Sequence, residues 1–263
     1  MFLQPMIHSE YQIFEGNKTD LDHFGAILVD GAYVLVGSRN IMYKLSIEDL
    51  KVRQTLEWNA SEWEKDMCLL KGKPEFSCQN YIKVLKKFDN DEGRYLICGT
   101  NAFKPECREY VEDAGTYLMT KKSKGGGICP YSPDHNSTAV LVDDQLYAGT
   151  ATDFQGMDPI IYRDPLRTPQ FDLTYLNNPS FVGSFEDGEF VFFFFHEEAV
   201  EYMNCGKSVF SRVARICKND VGGTRSSNAR WTSFLKARLN CSVPGNYPLY
   251  FDEIQDISKL IKV

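Results

Sequence analysis

Three stretches of this chain line up with one another: YVLVGSRNIMYKL at 33–45, RYLICGTNAFKPECREY at 94–110 and QLYAGTATDFQGMDPIIYR at 145–163. Each is an apolar run ending in a glycine (Gly37, Gly99, Gly149), then a polar turn, then a second run carrying a tyrosine (Tyr43, Tyr110, Tyr162). A fourth copy, EFVFFFFHEEAVEY at 189–202 followed by KSVFSRVARICKN at 207–219, keeps the layout without the glycine. Before each copy stands another apolar run and a turn-forming acidic or glycine pair: AILVDGAY, IKVLKKFDNDEGRY, AVLVDDQLY and FVGSFEDGEF. Asp-Gly between apolar runs is a strong hairpin signal. Three or four antiparallel strands recurring about every 50 residues are the sequence form of a propeller blade. The reading is an all-β fold, a β-propeller with about four blades present in this chain.

Laid along the chain, the repeat gives one domain over 1–263: an extension at 1–23, blade 1 at about 24–50, blade 2 at about 80–112, blade 3 at about 137–164 and blade 4 at about 180–241. WTSFLKARLNC at 231–241 is expected as the outer strand of the fourth blade, and about 248–258 as the start of a fifth. Residues 51–79, 113–136 and 218–230 are expected as long connections. The four consecutive phenylalanines Phe192 to Phe195 cannot alternate apolar with polar, so their strand is expected to be covered on both faces.

Composition agrees with a β-rich globular chain: 13% of the 263 residues are aromatic, with 18 Phe and 14 Tyr. The net charge is −7 and the basic residues are scattered, which argues against nucleic acid and against an anionic membrane surface as partners. The longest apolar run, 190–195, is far short of the roughly 20 residues a membrane helix needs, so no membrane segment is expected. Eight well-separated cysteines without a CxxC read as disulfides and not as a structural zinc site. Four acceptor sequons, at Asn17, Asn59, Asn136 and Asn240, point to glycosylation and the same extracellular setting. The first residues lack the basic and apolar regions of a signal peptide.

A search for chemistry finds none. The four histidines, His8, His23, His135 and His196, form no metal-ligand spacing, and the HEE at 196–198 lacks the second histidine of a zinc protease. The GKS at 206–208 has Glu201 where a phosphate-binding loop needs glycine. The acidic pairs Asp143-Asp144 and Glu197-Glu198 are best read as hairpin and strand-end residues, not as a glycosidase pair. No catalytic residue, metal or cofactor is expected, and a secreted propeller hydrolase is the remote alternative.

FVFFFFHEEAVEYMNCGKSVFSRVARICKNDVGG at 190–223, followed by RWTSFLKARLNCSVPG at 230–245, strongly resembles the sema domain of semaphorins. So do CQNYIKVL at 78–85, LICGTNAFKPEC at 96–107, CPYSPDHNST at 129–138 and LYAGTATDFQGMDPIIYR at 146–163. The pattern is most like the invertebrate class 1 type, with features shared by type 5, since Cys129 and Cys205 are both present. The resemblance implies a seven-bladed propeller of which this is the N-terminal portion. It also implies a cell-surface or secreted ligand that binds plexin ectodomains, homodimerises in its full-length form and guides axons. A truncated, folding-incompetent or non-signalling product is the alternative within the family.

Carried over by motif, the resemblance pairs Cys68 with Cys78 and Cys98 with Cys107, and puts the partners of Cys217 and Cys241 beyond this chain. The joint presence of Cys129 and Cys205 suggests a further pair. Plexin contact in the family comes from loops of blades three and four. That points to RTPQFDLTYLNN at 167–178, and within it to Arg167, Gln170, Phe171, Asp172 and Tyr175. The plainer reading of this segment is a solvated connection between blades.

Overall fold

The computed structural model describes residues 12–17, 22–89, 93–202, 206–223 and 229–258. The described residues contain four antiparallel sheets of four strands, each wound in chain order from its first strand to its last, and one two-stranded ribbon. Blade 1 is β1 (Ala26–Asp30), β2 (Tyr33–Gly37), β3 (Ile41–Ser46) and β4 (Val52–Glu57). Blade 2 is β5 (Ile82–Lys87), β6 (Arg94–Gly99), β7 (Glu106–Asp113) and β8 (Thr116–Lys124). Blade 3 is β9 (Thr138–Val142), β10 (Gln145–Ala151), β11 (Pro159–Arg163) and β12 (Leu166–Arg167). Blade 4 is β13 (Ser180–Asp187), β14 (Phe190–Glu198), β15 (Val209–Cys217) and β16 (Leu235–Arg238). The first strands β1, β5, β9 and β13 pack against one another in sequence, which is the inner wall of a propeller.

The outer strands differ from expectation. β4 and β8 lie in stretches read as connections, because their side chains face water on most positions and leave no apolar alternation to detect. The connection from blade 1 to blade 2 also holds a helix, α1 (Glu62–Leu70). Ser61 caps it: its hydroxyl accepts from the Glu64 N–H while the Glu64 carboxylate accepts from the Ser61 N–H.

Each pair of neighbouring blades encloses its own apolar layer. Leu35, Met42 and Trp58 of blade 1 meet Ile82 and Ile97 of blade 2, and Tyr147 and Ile161 of blade 3 meet Phe181, Phe193 and Phe195 of blade 4. The repeated glycine explains how the sheets come so close. A methyl at Gly37 would stand 2.6 Å from Ile82 Cγ2, and one at Gly149 would stand 2.7 Å from the Phe181 ring, both on the first strand of the next blade. The fourth blade has no such glycine on its second strand. There Gly183, at a register shift in β13, makes the room, and Ile257 occupies it.

That contact brings in the segment expected to begin a fifth blade. Its first residues form β18 (Leu249–Tyr250), which pairs back on β17 (Ser242–Val243) in a two-stranded ribbon. Beyond it, residues 251–258 run along blade 4 without forming a strand: the Ile254 N–H donates to the Ser211 hydroxyl, which in turn donates to the Asp252 carbonyl. The phenylalanine strand is accordingly covered fully on one side and partly on the other. Phe193 and Phe195 are wholly buried, while Phe192 and Phe194 are half-buried and lie on Phe185 with ring centroids 5.5 and 5.4 Å away.

Blades 3 and 4 are joined further by the β15–β16 connection. Trp231 is buried against blade 3 and its indole N–H donates to the Ile161 carbonyl at 2.8 Å. Arg163 reaches the other way, donating to the carbonyls of Lys218 and Asp220. Asp220 holds the turn itself: its carboxylate accepts from the N–H and hydroxyl of both Thr232 and Ser233 and from the Gly222 N–H. Burial alone would push this carboxyl up, but the hydrogen bonds from Ser233, Gly222 and Thr232 outweigh it and bring it from 3.8 down to about 2.

Because the folded value is the lower one, the stabilisation is complete above the unfolded value and fades as pH falls from about 4 towards 2, a loss of about 2 kcal/mol. Urea unfolding at pH 6 and pH 2.5 measures it. Asp220→Asn should be less stable at pH 6 and should show a smaller drop between the two pH values, and an undiminished drop in the variant would contradict the assignment.

Candidate functional site

In each blade the first strand runs away from the face that carries the blade-to-blade connections and the turns between second and third strands. On this face, between blades 3 and 4, the connection from β12 to β13 spans residues 168–179 and lies beside the β10–β11 turn at 152–158. Both are fixed from below. The Arg167 guanidinium donates to both oxygens of Asp158, at 2.9 and 3.0 Å, and Asp158 is almost wholly buried. Thr168 is fully buried and its hydroxyl accepts from the Ile161 N–H, while Leu176 plugs the layer between blades.

The far end is held by the strand that carries the phenylalanines. The Asn177 N–H donates to Glu197 Oε2 at 3.0 Å, and the Asn177 amide donates to the Glu198 carbonyl. Glu197 is completely buried and neutralised by Arg212 and Lys236, so the acidic pair at 197–198 serves the fold. Asp143 and Asp144 sit in the β9–β10 turn with φ of 50° and 59°, again a structural role.

What these anchors hold up is an apolar surface. Met157, Phe171 and Leu173 are 67%, 64% and 46% exposed and surround one shallow hollow, with Asp172 and Asn178 beside them. Phe171 has φ of 52°, a conformation that costs a bulky residue energy and turns its ring outward. Asp172 stabilises the next turn, accepting from the N–H and hydroxyl of Thr174, and those bonds hold its carboxyl below the usual range.

The five residues singled out in this segment thus separate. Phe171 and Gln170 are exposed and Asp172 is at the rim. Tyr175 is half-buried with its ring 5.1 Å from Phe234. Arg167 corrects the expectation: its guanidinium is committed to Asp158, so it supports the surface and does not form it. Met157 and Leu173 were missed. An apolar residue in a glycine- and aspartate-rich turn, as in DFQGMD, is the signal that could have found Met157.

The cysteines and sequons are distributed over the fold. Cys68 is bonded to Cys78 and ties α1 to the segment before blade 2, and Cys98 is bonded to Cys107 across β6 and β7. The bond expected between Cys129 and Cys205 is corrected at Cys129, a free thiol buried between blades 2 and 3 among Val84, Ala148 and the Cys98–Cys107 pair. Burial pushes that thiol up and leaves it protonated. Cys205 lies outside the described residues. Cys217 and Cys241 are free thiols, half-buried and exposed. Asn17, Asn59, Asn136 and Asn240 are all exposed.

His196 shares a hydrogen bond with the Ile254 carbonyl, and His8 lies outside the described residues. Among the described residues no group of three or more His, Cys, Asp or Glu is placed to hold a metal. Nor is any helix among them long and apolar enough to cross a membrane.

Comparisons with known proteins point one way. The chain is 54% identical over 253 residues to Semaphorin-1A of Schistocerca americana, covering 95% of this chain and 34% of that protein. It is 49% identical over 228 residues to human Semaphorin-5A, covering 84% of this chain and 21% of that protein. The chain therefore spans about a third or less of the length of these curated relatives. Among solved structures, it matches a chain of Drosophila Plexin A in complex with Semaphorin 1b, with TM-score 0.85 and 50% identity over 92% of this chain and 46% of that one. The plexin A4 extracellular region matches with TM-score 0.61 at 18% identity, which is a likeness of fold. No protein-family model matches.

The ion pair under this surface can be tested by stability. Arg167→Ala strands a buried carboxylate and should cost roughly 3 kcal/mol in urea unfolding, with Arg167→Lys recovering only part because it lacks the Nε–H that donates to the Thr168 carbonyl. A cost under about 0.5 kcal/mol, typical of an exposed pair, would refute the supporting role.

Proposed function

The chain belongs to the semaphorin family, and from that premise we propose that it is the part of an extracellular guidance ligand that docks on a plexin ectodomain. The docking surface is the loop face of blades 3 and 4, with Phe171 and Leu173 as its apolar anchors and Met157 beside them. The activity is binding and not catalysis, and in the whole protein it serves to steer growing axons.

The observation that carries this reading is the exposed apolar surface around Phe171, set on a loop that ion pairs and a buried leucine hold rigid. An exposed apolar cluster rimmed by polar groups is what a protein interface looks like before its partner arrives. A relative of this chain's own fold and half its sequence is known in complex with a plexin, which supports the choice of partner. Two disulfides and four exposed sequons support the extracellular setting.

Surface plasmon resonance against an immobilised plexin A ectodomain tests it. Phe171→Ala and Leu173→Asp should each weaken binding at least tenfold, as central anchors do. Asp187→Ala, at the β13–β14 turn on the opposite face, should leave it unchanged. Equal affinity of all three variants and the parent chain would remove the surface from the interface.

A further inference from the structure

A second depression lies on the same face, between α1 and the end of blade 2. Its floor is apolar: Met67 of α1, Ala102 and Phe103 of the β6–β7 turn, and Tyr131. Its volume of about 700 Å³ is enough for several side chains. Trp63 stands at its edge, 61% exposed. Nothing in the blade packing needs that tryptophan outside.

The rim is basic, in a chain whose net charge is −7. Lys71, Lys104, Lys122 and Lys124 line it and all four are exposed. The two acidic residues in the wall are already engaged, Glu64 with Lys104 at 3.2 Å and Glu106 with Arg108 at 2.7 Å and Lys122 at 2.6 Å. Lys104 also lies 5.0 Å from the centroid of the Trp63 ring, within cation–π range. Lys71 and Lys124 make no ion pair among the described residues.

The third element is a strand edge. β8 is the outermost strand of blade 2 and, among the described residues, pairs only with β7, so no described strand takes up the backbone groups along its outer side between Thr116 and Lys124. Its last residues run straight into the groove. An open edge that leads to an apolar hollow is the geometry of strand addition, in which backbone bonds give affinity and a pocket for alternate side chains gives choice.

We propose that this groove and the β8 edge form a docking site for an extended, acidic segment of a partner protein, with an aliphatic or aromatic side chain seated beside Trp63. The lysines would pair with its carboxylates and the floor would take its anchor. A sulfated glycan fits less well, because it would leave the apolar Met67 and Phe103 floor unused. The groove shares no lining residue with the Phe171 surface, and the proposal does not depend on how that surface is used.

A phage-displayed library of random twelve-residue peptides, selected on the full chain, tests the proposal. Selected sequences should carry two or more acidic residues around an aliphatic or aromatic one. As synthetic peptides they should shift the emission of Trp63, the exposed one of the chain's three tryptophans. Lys71→Glu and Lys124→Glu should each weaken their binding about tenfold with far-ultraviolet dichroism unchanged, and Trp63→Phe should abolish the emission change. Failure to enrich any acidic sequence would overturn the proposal, as would acidic peptides that bind both glutamate variants as well as the parent. Binding of a heparin oligosaccharide that both variants abolish, with no acidic peptide selected, would overturn it in favour of a glycan site.

Discussion

Everything in this fold depends on one constraint: a four-stranded blade carries apolar residues on both faces, and packing against a neighbour is what takes a face out of water. Two blades cover one face each of the other, and the molecule extends as a series of such contacts. The glycines at Gly37 and Gly149 set how close two blades can come, and Ile82 and Phe181 occupy the space they leave. At blade 4 the same need is met differently, by Gly183 under Ile257 and by a chain segment laid along β15. The phenylalanine strand marks where the demand is greatest, since it carries large side chains to both sides at once.

The loop face inherits its order from this packing. Residues 168–179 have little structure of their own, yet Leu176 and Thr168 belong to the buried layer and Asn177 hangs from a buried glutamate. The charges beneath the loop are paired and hydrogen-bonded, as buried charges must be. The consequence for function is that exposed Phe171 and Leu173 are presented from a rigid base. Surface and core are one construction here, because the residues that fix the loop are also the residues that close the blade.

The repeat was legible in the sequence because three of its four strands are inner strands with dense apolar residues and a marked turn. The outer strands were not. β8 reads TYLMTKKSK, and a strand that faces water on nearly every position leaves only its pairing with β7 to define it. The helix α1 carries a readable signal in Ser61 and Glu64 but a weak apolar stripe, with Cys68 its one buried residue. At the loop surface, Phe171 was legible because an aromatic in a polar stretch stands out. Arg167 misled for the same reason: charge in a loop suggests exposure, and only the structure brings Asp158 beneath it. Cys129 shows a like limit, since a sequence counts thiols but does not say which ones the core encloses.

The tethering of 168–179 at both ends bears on the time course of encounters. A loop that is already in its bound shape loses little entropy on docking and has no slow rearrangement to complete. Association at this face would then be governed by collision and orientation, and differences among partners would appear as differences in how long they stay. On the docking reading proposed above, side-chain changes around Phe171 would act on residence time and not on capture.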